Sequence, residues 1–262
     1  MPQTACWYAQ AVFLFTTDTG LSMVFLRTCL LVPLVISLFV LAGCSSNFKS
    51  VVDSAKALID SNNAITPDYI ASLPYASLLV TVNNTRPLLL ILASAEYDSI
   101  TQSYRLTWVS QDLGSIVTEN GRIVKTVGFT TDNVEGLKAP LDSPPTLSNA
   151  TRWQAQYDWS PGYRYGFTAQ VTARSLGMDT VITDLWHQEA EQIEETVVFD
   201  DSNAQFSNLF WLTPATETAD PFVVKSIQYL GPNMDKVDML MVKPFIPPRS
   251  AIAQTKAKDL PL

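Results

Sequence analysis

The 262-residue chain is acidic: 17 Lys and Arg stand against 25 Asp and Glu, a formal charge of −8 at neutral pH, while 47% of residues are hydrophobic. Phosphate-backbone binding needs a basic patch, and none is written here, which excludes nucleic acid as a partner. The length suits one β-rich domain, or at most two small ones.

In chain order, the first 22 residues carry no Lys or Arg and read as an upstream extension of the true start, Met23. Arg27 follows, then an apolar run from Cys29 to Ala42 interrupted by Pro33 and Ser37. A helix that spans a bilayer needs ~20 apolar residues, and this run is shorter. Start, positive residue, apolar stretch and small residues together form the layout of a secretory signal peptide over residues 23–43. Its end, Leu41-Ala42-Gly43-Cys44, resembles a bacterial lipobox, in which Cys44 is acylated and becomes the new N-terminus. The plainer reading is an ordinary signal peptide with a chance cysteine at its end. One acyl chain holds a protein marginally, whereas several on one residue make a lasting anchor. Ser45, where an Asp commonly retains lipoproteins in the inner membrane, points to the periplasmic face of the outer membrane. Cys6 and Cys29 would be discarded and Cys44 would carry lipid, so the mature chain has no disulfide.

Within the tether of residues 44–64, Phe48, Val51, Val52, Ala55, Leu58 and Ile59 recur at helical spacing between Asn47 and Asp60, predicting a short amphipathic helix. In the following "ITPDYIASLPYAS", Thr66 can cap a helix and Pro67 suits its first position, with an end expected near Pro74. From there the pattern changes to period two. In "YGFTAQVTA", Tyr165, Phe167, Ala169, Val171 and Ala173 alternate with small or polar residues, so one face is buried. "SIVTENGRIVKTVG" predicts a hairpin: Asn120-Gly121 can take the positive φ angles of a type I′ turn, with Glu119 and Arg122 as an opposite-charge pair beside it. Further strands are predicted at Leu88–Ala95, Tyr104–Val109, Thr151–Trp159, Thr180–Trp186, Glu195–Phe199, Gln205–Thr213, Phe222–Leu230 and Val237–Val242. "EGLKAPLDSPPTLSNA" reads as a loop between two halves of the sheet. Residues 65–246 therefore form a single mainly β domain, an antiparallel meander with a short N-terminal helical segment. The tail, residues 247–262, lacks aromatics and periodicity and reads as disordered.

Five features in this order are similar to one family: the lipobox, "PDYIASLPYAS", "LTWVSQD", "IVTENGRIVKTVG" and "SIQYLGP". The chain resembles the YjbF/GfcB lipoproteins, linked to exopolysaccharide and group 4 capsule production, over roughly Ile65 to Phe245. The resemblance implies a curved antiparallel sheet that closes partly, barrel-like, around its core. It brings no catalytic residues to place on this sequence.

Chemistry-bearing patterns are few. His187 is the single histidine and stands among acids and amides in "DLWHQEAEQIEE", with no G-x-S-x-G elbow in the chain to supply a nucleophile. Glu189, Glu191, Glu194 and Glu195 lack the ordered spacing of a calcium loop, and a charge run is usually a solvated face. Acid pairs such as Asp112 with Glu119 are open to sugar chemistry, since glycosidases need only two carboxylates ~5–9.5 Å apart. No catalytic residue, metal ligand or cofactor is assigned. Among the aromatics, Trp108, Trp153, Trp159 and Tyr163 are the candidate contacts for carbohydrate or a partner, with Trp186, Trp211, Tyr157 and Tyr165 as further flat apolar surfaces on which sugar rings could stack; core or cross-strand packing is their commoner use.

Three functions follow as alternatives. The first is a non-enzymatic accessory lipoprotein that works with outer-membrane polysaccharide export or assembly proteins. The second is a periplasmic protein that binds or modifies carbohydrate. The third, carriage of apolar cargo in a half-open sheet, rests on fold analogy alone.

Overall fold

The computed structural model describes residues 66–247, apart from 113, 141–143, 149–150, 184–185, 203 and 217–219. It opens with helix α1 (Pro67–Ser72), and twelve strands follow: β1 (Ser77–Val82), β2 (Leu88–Asp98), β3 (Ser103–Val109), β4 (Ser115–Glu119), β5 (Arg122–Val127) and β6 (Asn133–Lys138), then β7 (Arg152–Ser160), β8 (Arg164–Ile182), β9 (His187–Phe199), β10 (Gln205–Leu212), β11 (Val223–Tyr229) and β12 (Lys236–Lys243). All belong to one antiparallel sheet in the order β5-β4-β3-β2-β1-β12-β11-β10-β9-β8-β7-β6. Strands next to each other in sequence pair throughout, except β5 with β6, and β1 pairs with β12, which joins the first and last strands of the chain by backbone hydrogen bonds.

The sheet is nearly closed into a barrel, and its seam lies between β5 and β6. There side chains replace the ladder: Val134 N donates to Thr126 Oγ1 at 2.9 Å, Phe129 N donates to Asn133 Oδ1 at 3.1 Å, and Lys125 pairs with Glu135 at 2.8 Å. Open strand edges are templates for association, and here the edge is covered. On β5, Gln228 from β11 accepts from Ile123 N and donates to Gly121 O, both at 2.9 Å, so the barrel's own interior satisfies the edge.

Local sequence explains the hairpin that reaches inward. Asn120 (φ 48°) and Gly121 (φ 80°) make the tight turn as predicted. A Cβ on Gly121 would lie 2.3 Å from Val223 Cγ2, so close approach as well as backbone conformation demands glycine. The interior is packed by Trp108, Ile116, Val134, Tyr157, Trp159, Val171, Val197, Phe199 and Val237 among others.

Two elements cover the outer face. Thr66 caps α1, its side chain accepting from Tyr69 N, and Ile70 and Leu73 pack against Leu89 and Val242. The helix ends at Ser72, where Lys243 Nζ donates to the Leu73 carbonyl. The other cover is the far half of the β8–β9 hairpin. A bulge between Ser175 and Gly177 (φ 105°) bends β8, and Val181 and Ala190 then pack on Trp211 and Val224.

Several expected boundaries differ. Tyr165–Ala173 and the start of the expected Thr180–Trp186 strand belong to one 19-residue strand that ends at Ile182, because the bulge lets β8 change direction without breaking its pairing with β9. β9 begins at His187, well before Glu195. The start of the supposed loop, Glu135 to Lys138, is the end of β6, and β1 and β6 add two strands that the periodicity did not single out. Glu119 and Arg122 face each other across the turn, yet each makes its ion pair with another residue: Glu119 with Arg105, Arg122 with Glu195. The amphipathic stretch of residues 47–60, Cys44 and the tail from residue 248 lie outside the described residues.

Candidate functional site

The most concentrated polar chemistry lies inside the barrel. Arg122 grips Glu195 with two parallel bonds, Nε to Oε2 at 2.9 Å and Nη2 to Oε1 at 2.7 Å, and its Nη1 donates to the Pro145 carbonyl at 2.6 Å. Asn120 donates to the Pro144 carbonyl at 2.8 Å. Fork-to-fork pairing of this kind is both strong and directional. Trp153 and Phe210 flank the guanidinium, with ring centroids 5.4 and 6.0 Å away. The Trp153 Nε1 has no hydrogen-bond partner among the described residues. Such a buried donor costs about 1–3 kcal/mol, and the cation over the ring offsets part of that, about 0.5–2 kcal/mol.

Tyr157 borders this centre. Its burial, with the Glu195 charge adding to it and Arg122 opposing, pushes the phenol well above the ordinary range. The enclosed space among Arg122, Tyr157, Glu195, Asn208 and Gln228 is about 10 Å³, the room of a single water. The arrangement therefore ties β5, β9 and the 144–145 segment together and admits no substrate.

The aromatic candidates divide sharply by position. Trp108 is buried, its Nε1 donating to Thr118 Oγ1 at 3.0 Å. Trp159 is buried too, donating to the Leu230 carbonyl at 2.7 Å and stacking on Tyr157 at 5.4 Å. Trp153 lies beneath Arg122 as described. Tyr163 is 95% exposed at the β7–β8 turn, beside Tyr165 at 55%. The structure thus places three of the four in the interior and one on the rim, and the four share no common surface.

The acids are dispersed as well. Asp112 is exposed in the β3–β4 turn, while Glu119 is buried against Arg105. Glu189 accepts from Thr180 Oγ1, Glu194 pairs with Arg174, and Glu195 is committed to Arg122. Among the described residues no three His, Cys, Asp or Glu side chains are placed to hold a metal ion. No helix among them is long and apolar enough to cross a membrane.

Sequence reasoning missed the Arg122–Glu195 pair and a second polar cluster on the outer face. There Trp211 Nε1 donates to Asp179 Oδ2 at 2.8 Å, and the Lys225 ammonium sits 4.4 Å from the Trp211 ring centroid. A signal for Glu195 was present: Ile193, Val197 and Phe199 share its face of β9, so it stands where a core residue belongs.

The nearly closed antiparallel sheet, taken with the family match, places the chain in a class, the capsule-associated lipoproteins. The chain belongs to the family described as group 4 capsule polysaccharide lipoprotein gfcB, YjbF, whose model matches residues 42–242. It is 28% identical over 227 residues to the uncharacterized lipoprotein GfcB of Escherichia coli K12, covering 81% of this chain and 98% of that one. It is equally 28% identical to the uncharacterized lipoprotein YjbF of the same strain, over 219 residues, with 80% and 96% covered. The crystal structure of the hypothetical lipoprotein YmcC from Escherichia coli K12 superposes with a TM-score of 0.61 at 25% identity, covering 79% of this chain and all of that one.

Proposed function

We propose that this protein is an outer-membrane lipoprotein, anchored through Cys44 on the periplasmic face, that serves exopolysaccharide or capsule production by binding. The family match over residues 42–242 carries the reading, because it takes in both Cys44 and nearly all of the β domain. Residues 23–43 act as the signal peptide and residues 44–64 as the tether. Its partners are polysaccharide export or assembly proteins of the outer membrane and the polysaccharide itself. A role by binding is supported by the place of the most concentrated polar chemistry, the Arg122–Glu195 ion pair, which is buried in the barrel with room for one water. Tyr163 and Tyr165, exposed on one rim, are the aromatic contacts open to a partner or a sugar ring, while Trp108, Trp153 and Trp159 hold the frame.

Cys44→Ser tests the anchor. The unacylated precursor should leave the outer-membrane fraction, and surface polysaccharide should fall with it. A substituted protein that is processed and fractionates as before contradicts the anchor.

A second reading, direct recognition of carbohydrate, is favoured by one observation: a cleft on the outer face that carries both a carboxylate and an ammonium group.

A further inference from the structure

The outer faces of β1, β12 and β11 lie side by side, and the end of β8, Asp179 to Ile182, stands over them. Between the two is an open cleft of about 280 Å³, close to the lower end of the range for ligand sites, roughly 300–1,000 Å³. Its apolar surfaces come from Leu79 and Leu240 of the sheet and Val181 of the hairpin. Among them stand Thr81, Asp238 and Lys225. Thr81 and Asp238 are direct cross-strand partners, so their side chains are neighbours on this face.

Asp238 is unusual in its hydrogen bonding. One oxygen, Oδ2, pairs with Lys236 at 3.1 Å, while Oδ1 is buried and has no partner among the described residues. A carboxylate oxygen so placed lacks a donor, and leaving it unsatisfied is costly. Lys225 is fixed against the Trp211 ring, and Trp211 is itself fastened to the hairpin through Asp179. The cleft is therefore braced on both sides.

The mixture selects the ligand. An apolar chain would fill the volume but leave Asp238 Oδ1 unpaired. An anion meets Asp238, Asp179 and a chain of charge −8, and a cation meets Lys225. A neutral polyol satisfies both groups, because each hydroxyl can donate to the carboxylate and accept from the ammonium, while the C–H face of a sugar ring rests on Leu79, Leu240 and Val181. From this geometry we infer that the cleft binds a short stretch of saccharide, one or two rings, with Asp238 as hydroxyl acceptor and Lys225 as donor. The inference rests on the polysaccharide role proposed above and gives it a location.

The test uses the full mature protein in detergent and oligosaccharides released by mild acid from the surface polysaccharide of the producing cells. Saturable binding is expected by calorimetry, with a change in Trp211 fluorescence. Asp238→Ala should weaken binding at least tenfold, and Thr81→Trp, which fills the cleft, should abolish it, both with wild-type circular dichroism and melting. Should Asp238→Ala fail to fold, Lys225→Ala takes its place beside Thr81→Trp. Absence of saturable binding, or binding unchanged in the variants, overturns the inference. So does a synthetic peptide of residues 48–60 that occupies the cleft in place of saccharide. The two readings fail separately: a deletion strain that loses surface polysaccharide while the purified protein binds no oligosaccharide contradicts the cleft alone. Binding in the cleft with polysaccharide unchanged in the deletion strain contradicts the proposed function alone.

Discussion

Arg122 and Glu195, 73 residues apart in sequence, form a bidentate pair whose side chains are each only 2% exposed. The arginine follows the β4–β5 turn and the glutamate lies in the middle of β9, so one contact fastens the inward-reaching hairpin to the far wall of the barrel.

A buried pair contributes little net stability over a well-packed apolar replacement, but removing one partner strands the other charge at a cost of about 3–5 kcal/mol. Arg122→Met is expected to destabilise the domain by that amount in denaturant melts. The double variant Arg122→Met with Glu195→Leu should regain much of the loss. A single variant as stable as the parent would contradict the role given to the pair.

The turn before it makes a sharper demand. Gly121→Val places a branched side chain at φ 80°, which costs about 1–3 kcal/mol on backbone grounds, and drives its Cβ into Val223. Adding Val223→Ala should relieve the steric part and leave the backbone part. Melting temperatures of the single and double variants, compared with Val223→Ala alone, separate the two.

Tyr157 gives the domain a dependence on alkaline pH. Its phenol is raised by burial above the ordinary value of 10.0. With the folded pKa above the unfolded one, the stability it contributes is whole below pH 10 and is lost as pH rises further, since the unfolded chain ionises first. Tyr157→Phe should therefore lose less stability than the parent between neutral pH and pH values above 10. Parallel melts over that interval check it, and equal losses would count against the burial account.

How much of this was legible in sequence depends on the kind of signal. Local chemistry was readable: the positive φ values at Asn120-Gly121 and the Thr66-Pro67 cap follow from what those residues can do alone. Period-two alternation gave the antiparallel strands and, with the family resemblance, the partly closed sheet. The alternation failed where a bulge shifted its phase, which is why Ser175 to Gly177 concealed the continuity of β8. Charge partners were not legible. Glu119 and Arg122 are adjacent in the hairpin register, yet closure of the barrel brings Glu195 within reach of Arg122, and burial then favours the bidentate geometry. The cleft was equally hidden, since Thr81, Lys225 and Asp238 meet only through the β1–β12–β11 order.

The central claim, that the protein supports surface polysaccharide by binding and not by catalysis, is tested most directly in a deletion strain. The strain is complemented with the parent, or with single amide variants of Asp112, Glu119, Asp158, Glu189, Glu191, Glu194 and Glu195, and surface polysaccharide is measured. Binding energy is spread over anchors that are seldom single acids, so deletion should lower the output and every variant that folds should restore it to near the parental level. One amide substitution that abolishes output while folding, lipidation and partner binding stay intact would show that carboxylate to be catalytic and contradict the claim.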